Sequence, residues 1–251
     1  MALITSYAPG KPCWLDIMVN DTAARESLMS FCADVFGWTY DVGGEESGYY
    51  TIALLNGVPV AGLGQMEGSV GQWATYLATK DIDATVARAT ELGANVFFPT
   101  IDVWDQGRMA LATDPTGAVF GMWQQMNFLG TGAYGEAGAP SWHNHASGEA
   151  KKAADFYRDL FPGVQVVGAD GFFMLNVEGE HAFASVAPNM TPFPAHWQPV
   201  IGTTSLVETE AKVKAAGGTI LASNQPVMGG AITVFSDTKV GSVLTVFQPT
   251  P

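Results

Sequence analysis

Residues 12–20, PCWLDIMVN, return at 140–148 as PSWHNHASG. Behind each lies a stretch that closes on a similar phrase, FCADVFGW (31–38) in the first copy and FYRDLFPGV (156–164) in the second. Trp14 thus matches Trp142, Asp16 matches Asn144 and Phe31 matches Phe156. The interval from Trp to Phe is three residues longer in the first copy, and the simplest place for that insertion is the strand-to-helix turn around Asp21–Arg25. Leu28, Phe31, Cys32, Val35 and Phe36 recur at helical spacing, as do Ala153, Phe156, Tyr157, Leu160 and Phe161. Each set makes one apolar stripe on a helix. Gly37 and Pro162–Gly163 stop these helices.

A second repeat follows the first. WATYLATKDIDATVARATELGANVFFP (73–99) reads as strand, helix, strand, and HWQPVIGTTSLVETEAKVKAAGGTILA (196–222) repeats it. Gly93 and Gly217–Gly218 stand where helix C-caps belong. Each segment runs on into two strands joined by a turn: GRMALATDPTGAVFGMWQ (107–124) uses DPTG, and GGAITVFSDTKVGSVLTVFQ (229–248) uses DTKVG. The fold class is therefore α+β, with four units of strand, helix and strands paired into two domains. The first domain covers 1–128 and the second 140–251. Residues 129–139, rich in Gly and Ala and without periodicity, read as the linker.

Composition agrees and excludes several classes. The chain has 251 residues, 47% hydrophobic and 14% charged, with a formal charge of −13. That is enough apolar material for two cores. The negative charge repels phosphate backbones and anionic lipid, so neither nucleic acid nor a membrane is the expected partner. No apolar run approaches the ~20 residues of a membrane helix, and the opening MALITSYAPGKPC lacks signal-peptide features. Cys13 and Cys32 are too few for a disulfide framework and read as buried thiols of a cytoplasmic protein. A monomer or a homodimer fits.

The order of units, the GRMALATDPTGAVFGMWQ segment, the Trp-x-Asp opening with its downstream Phe-Gly-Trp, and Phe156–Tyr157 together resemble the vicinal-oxygen-chelate superfamily. That superfamily includes glyoxalase I, bleomycin-resistance proteins and extradiol dioxygenases. The nearest likeness is to its two-domain actinobacterial branch, labelled glyoxalase-like or hydroxylase-like. The resemblance implies that two βαβββ units close into a cupped mixed sheet in each domain. It also implies where metal ligands would stand. Those positions fall on Trp14, Ala74 and Gly121 in the first domain and on Trp142, Gln198 and Thr245 in the second. Indole, methyl and glycine do not ligate a divalent ion, and a lone amide is a weak ligand. The expectation is a protein without that metal and without another cofactor.

Candidate site residues follow from facing. All four histidines lie in the second domain. His143 and His145 are two apart on a strand and share a face opposite Trp142 and Asn144. Two readings stand: outer-face residues near a domain contact, or acid–base groups brought into the cup by a local register change. His196 follows the Pro-rich loop PNMTPFPAHW (188–197) and is placed on a rim; His181 precedes a strand. Asp16 and Asn144 share one position, and Asp16 reads either as a pocket base with a raised pKa or as a structural carboxylate satisfied by backbone or Arg108. Arg108 itself reads as a partner for a ligand anion or as a salt bridge. Trp14, Tyr76, Trp104, Trp123, Trp142, Trp197 and Gln198 complete the candidates for holding a flat aromatic ligand by stacking and hydrogen bonding, with core packing the competing role. No nucleophile elbow or Cys–His pair is present. The expected partner is a small hydrophobic or aromatic, polyketide-like metabolite of bacterial secondary metabolism. Metal-free acid–base tailoring competes with sequestration as in resistance proteins, and a metal enzyme with altered ligands is a third class.

Overall fold

The computed structural model describes residues 4–69, 71–189 and 193–250. In the first domain, β1 (Pro12–Val19), α1 (Thr22–Phe36), β2 (Thr39–Val42), β3 (Thr51–Leu55) and β4 (Val58–Gln65) form one unit. The next comprises β5 (Trp73–Thr79), α2 (Ile82–Glu91), β6 (Asn95–Val103), β7 (Gly107–Thr113) and β8 (Val119–Gln125). The second domain repeats the order with β9 (Pro140–Ser147), α3 (Ala150–Leu160), β10 (Val164–Ala169), β11 (Phe172–Val177) and β12 (Ala184–Pro188). Its last unit is β13 (His196–Gly202), α4 (Leu206–Ala215), β14 (Thr219–Val227), β15 (Gly230–Ser236) and β16 (Val243–Pro249). Each domain is one eight-stranded mixed sheet, ordered β2-β3-β4-β1-β5-β8-β7-β6 and β10-β11-β12-β9-β13-β16-β15-β14. The opening strands of paired units lie side by side at the centre, antiparallel to each other and parallel to the last strand of their own unit. Among the described residues, no helix is long and apolar enough to cross a membrane.

The helices form where the apolar stripes predict, and the stripe residues of α1 and α3 are buried. The three-residue insertion is not in the turn. Both strand-to-helix turns hold two residues, and α1 is longer, 15 residues against 11 in α3. Asp21 caps α1 by accepting from the Ala24 amide, so the added residues extend the helix as a first turn. That turn carries Arg25, which is buried, donates to the Tyr49 carbonyl and lies 5.7 Å from the centre of the Tyr49 ring.

The two sheets dock through their helix-bearing faces, and the pairing crosses between domains. Helix α1 packs beside α4, and α2 beside α3. One core joins Leu15, Leu28 and Phe31 to Leu206, Val213 and Phe235, and the other joins Phe120 and Met122 to Phe156 and Trp197. Aromatic rings bridge the seam: Phe31 to Phe235 at 6.1 Å and Phe120 to Phe156 at 5.7 Å. Each such ring contributes about 2–3 kcal/mol by leaving water, so this seam is part of the core. Cys13 and Cys32 are free and buried, and burial raises both thiols.

A polar cluster sits inside the seam. The DPTG turn hangs on Asp114, whose Oδ1 accepts from the Thr116 amide, the Thr116 hydroxyl and the Ala118 amide. Its Oδ2 crosses to the second domain, 2.7 Å from His145 Nε2 and 2.9 Å from the Tyr157 hydroxyl that donates to it. Trp197 in turn donates its indole N–H to the Tyr157 hydroxyl at 2.8 Å. Burial raises the Asp114 carboxyl, yet the His145, Thr116 and Tyr157 contacts outweigh it and hold the group below its ordinary value. The matching Asp237 keeps the turn function alone, accepting from the Lys239, Val240 and Ser242 amides.

The Gly- and Ala-rich connection is a hydrogen-bonded strap. Thr131 donates its amide to the Cys13 carbonyl, Gly132 to Pro59, Gly138 to Gly202, and the Trp38 indole donates to Gly138 O. Gly130, at φ +106, passes so close to Cys13 O that a Cβ there would stand 2.2 Å from it.

Replacing Asp114 with Ala leaves Tyr157, His145 and two turn amides without their acceptor. We expect a loss of about 3–5 kcal/mol, read as a lower urea midpoint at unchanged slope.

Candidate functional site

Back-to-back docking leaves the concave faces turned outward, so each strand presents alternate residues to a cup. In the first cup β1 presents Trp14 and Asp16, β5 presents Ala74 and Tyr76, and β8 presents Gly121 and Trp123, all in register. Asp16 is 4% exposed. Its Oδ2 accepts from the Tyr76 hydroxyl at 3.0 Å and the Tyr50 hydroxyl at 3.1 Å, while the Trp14 indole donates to the Tyr50 oxygen at 3.0 Å. Burial pushes the Asp16 carboxyl up to about 7, against a smaller lowering by Tyr76 and Tyr50. Burial and the Asp16 charge hold both phenols far above their ordinary value, so they stay protonated donors.

This cup is filled by its own rings. Trp14, Tyr76 and Trp123 are 5%, 2% and 7% exposed. Phe128, just before the strap, stands edge-on to Trp14 at 4.9 Å, and the Trp123 indole donates to its carbonyl. Glycines make the room. A Cβ at Gly62 would stand 1.9 Å from the Tyr50 hydroxyl, and one at Gly121 would stand 2.1 Å from the Tyr76 ring.

The second cup has the same plan and a different filling. Trp142 and Asn144 face it from β9, His196, Gln198 and Val200 from β13, Ser185 from β12 and Thr245 from β16, as the pairing registers require. The Trp142 indole donates to the Ser185 hydroxyl at 2.9 Å, and that hydroxyl donates to Asn144 Oδ1 at 2.9 Å. The indole–hydroxyl–acceptor relay of the first cup is thus kept, with Ser185, at the Gly62 position, supplying the oxygen that Tyr50 supplies there. No ring replaces Tyr76, whose position holds Val200. Thr245, at the Gly121 position, is 2% exposed and its hydroxyl has no partner. Trp142, Asn144, Gln198, Met174 and Phe247 are only half-buried, and Phe172 is exposed.

The remaining candidates lie elsewhere. His143 and His145 stay on the convex face, because β9 pairs with β12 without a shift and with β13 in phase through both residues. The register change that would bring them into the cup does not occur. His145 belongs to the Asp114 cluster. His143 lies 3.4 Å from the Thr75 hydroxyl beneath the Tyr134 ring, and burial lowers it to about 3. Trp197 is also convex and buried against Tyr157. Arg108 pairs with Asp83 and Asp102 at the surface, not with Asp16 or a cup. Trp104 is 62% exposed at the tip of the β6–β7 turn. His181 is exposed in the loop before β12, and His196 Nδ1 lies 2.8 Å from the Pro194 carbonyl. Residues 190–192 of the Pro-rich loop lie outside the described residues. Sequence reading missed Tyr50 and Ser185. The signal for Tyr50 was the pair of glycines opposite it, Gly62 and Gly64, since each would crowd its ring with a side chain.

No family model matches the chain. It is 31% identical over 261 residues, 98% of each chain, to "Putative glyoxylase CFP32" of Mycobacterium bovis and Mycobacterium tuberculosis. The chain belongs to the vicinal-oxygen-chelate superfamily. A further relative, "Anthracycline biosynthesis protein DauV" of Streptomyces sp., is 31% identical over 172 residues, 62% of each chain. Among solved structures, the Mn(II)-bound glyoxalase of Novosphingobium aromaticivorans superposes with TM-score 0.68 at 17% identity, covering 96% of this chain and 82% of that one. The 2,3-dioxygenase LapB of Pseudomonas sp. KL28 gives 0.68 at 10% identity, covering 98% and 94%. At these identities the structures speak for the fold alone.

The superfamily's divalent ion does not fit the residues at its positions. Trp14, Ala74 and Gly121 offer no donor atom, and the Tyr76 ring lies across Gly121. Trp142, Gln198 and Thr245 offer one amide and one hydroxyl, both weak ligands. Among the described residues, no group of three His, Cys, Asp or Glu side chains is placed to hold a metal.

The raised Asp16 value predicts a pH effect. The folded value, about 7, lies above the ordinary one, so the fold binds this proton more tightly than the unfolded chain. Stability held by the neutral carboxyl is complete below about pH 4 and is lost as pH rises through about 7, by ~4 kcal/mol at most. Melting temperatures of wild type and Asp16→Asn between about pH 5 and pH 8 should converge at the acid end and favour the variant at the alkaline end.

Proposed function

We propose that this protein binds a hydroxylated aromatic, polyketide-like metabolite in its second cup and tailors it by proton transfer, without the superfamily's ion. The observation that carries this reading is the difference between the cups. In the first, the phenol of Tyr76 lies over Gly121 and donates to Asp16. In the second, Val200 stands at that position, the Thr245 hydroxyl lacks a partner, and Asn144 accepts from Ser185. A ligand phenol at the place of the Tyr76 ring would meet Thr245 and Asn144 as Tyr76 meets Asp16. Trp142 supplies a half-buried ring beside it.

Of the residues described above as facing this cup, His196 is the ionisable one. Its Nδ1 lies 2.8 Å from the Pro194 carbonyl, which accepts only if Nδ1 carries the proton. In the neutral ring, Nε2 is then left to accept a proton from the ligand. Gln198 and Asn144 orient the ligand by hydrogen bonds. The names of the Streptomyces relatives, which refer to anthracycline biosynthesis, support a setting in secondary metabolism.

A second reading, sequestration without chemistry, draws support from the same face: Asn144, Ser185, Gln198 and Thr245 are all neutral, a set suited to binding. Turnover of the natural metabolite separates the two. Under the first reading His196→Gln abolishes product formation while binding survives. Under the second, every variant changes affinity alone.

2-Naphthol serves as the probe, followed by quenching of tryptophan fluorescence. Trp142→Ala and Asn144→Leu should each weaken its binding by ~10-fold, while Asp16→Asn leaves it unchanged. Unchanged affinity in Trp142→Ala and Asn144→Leu would remove the second cup from the reading. Addition of a chelator should leave both binding and turnover intact.

A further inference from the structure

A cleft of ~640 Å³ opens along one side of the seam between the domains. The segment leading into β1 and its first residue form one wall with Tyr7, Lys11 and Pro12, and the loop before β12 forms the other with Glu180, His181 and Phe183. Tyr134 of the strap also lines it. We propose that this cleft is a second small-molecule site, and that it takes a planar aromatic carboxylate.

Three observations converge on that chemistry. The walls are largely aromatic or apolar: Tyr7, Pro12, Tyr134 and Phe183 are contributed by three separate stretches of chain. Such a set holds a flat ring by its faces and edges. The cleft's cation is Lys11, and its carboxylate partner is supplied across the cleft by Glu180, at 2.5 Å. The Lys11 side chain is 27% exposed and that of Glu180 is 45% exposed. Glu180 is thus the looser member, and a ligand carboxylate can take its place on Lys11 while Glu180 turns to water. Exchange of one carboxylate for another at a half-exposed lysine costs little, because such surface pairs contribute ~0–1 kcal/mol.

The third observation is Tyr134. Its hydroxyl is buried and has no hydrogen-bond partner, and burial holds it protonated. A buried donor without an acceptor costs about 1–3 kcal/mol, and Tyr134 lines this cleft, so a ligand oxygen that reaches the hydroxyl would relieve that cost. The Tyr7 hydroxyl, by contrast, is already committed to the Thr131 carbonyl at 2.7 Å, which ties this wall to the strap. The Tyr134 ring stacks on His143 at the seam. A ligand here touches both domains and the strap, so binding also strengthens their docking and raises the melting temperature.

The probe is 2-naphthoate, with 2-naphthamide as its neutral counterpart, each titrated calorimetrically into the full chain. Wild type should bind 2-naphthoate saturably and melt at a higher temperature in its presence. Lys11→Gln should weaken it by ~10-fold or more, and Tyr134→Phe by a few-fold. Glu180→Gln should tighten it several-fold, because the internal competitor is gone, whereas a merely structural ion pair predicts no gain. Neither Lys11→Gln nor Glu180→Gln should alter the affinity of 2-naphthamide. Trp142→Ala, in the second cup, should leave 2-naphthoate binding intact, so this site and the proposed second-cup site stand or fall separately. The assignment is overturned if wild type shows no saturable binding, if Lys11→Gln binds as wild type does, or if Trp142→Ala abolishes binding.

Discussion

The docking of the two sheets through their helix-bearing faces is the contact on which the rest depends. It buries Phe31 against Phe235 and Phe120 against Phe156, each ring supplied by a different domain. Once one face of every central strand is committed to that seam, the alternation of a strand commits the other face to a cup. His143 and His145 therefore cannot serve the cup while Trp142 and Asn144 line it. Neutral His143 and the His145–Asp114 contact are consequences of this parity. Buried polar groups at a seam must find partners within it, and Asp114, Tyr157 and Trp197 provide such a chain.

The same constraint explains how the two cups came to differ on one plan. A concave sheet face is apolar surface that either the protein or a ligand covers. In the first cup the protein does so with Trp14, Tyr50, Tyr76, Trp123 and Phe128, and glycines at 62 and 121 give the rings their space. The second cup keeps the Trp–hydroxyl–acceptor relay but substitutes Ser185 for Tyr50 and Val200 for Tyr76. It gains polar atoms and loses ring volume. Asp16 in the first cup becomes Asn144 in the second, and a carboxyl whose pKa burial raises to about 7 becomes a permanently neutral amide. The metal positions of the superfamily are affected by the same exchange. Gly121 is occupied by a neighbouring ring, and Thr245 is left with an unpartnered hydroxyl.

Much of this was legible in the sequence because it rests on period and repetition. Helical stripes, the paired Trp-x-Asp and Trp-x-Asn openings, and the turns DPTG and DTKVG are local signals, and local propensity agreed with the global fold. That Trp14, Ala74 and Gly121 carry no metal-ligating atom was equally plain. Less legible were statements about what lies opposite. The three extra residues before Phe31 lengthened α1 rather than its turn, with Asp21 capping the helix ahead of them. Arg108, read as a partner for Asp16 or for an anion, is satisfied by Asp83 and Asp102 on its own surface. The segment 129–139, read as a linker from its glycines, is hydrogen-bonded through its backbone to both domains, where composition carries no signal.

The sequence by itself determined the four units, their pairing into two domains and the α+β class, since these follow from periods of 3.6 and 2 along the chain. The tertiary structure alone decided which faces meet across the domains. It alone brought Tyr50 to Asp16, Phe128 into the first cup, Asp114 to His145, and Lys11 to Glu180 across 169 positions of sequence. Those are long-range contacts between chemically ordinary residues, and their meaning lies in distance, which no local pattern encodes.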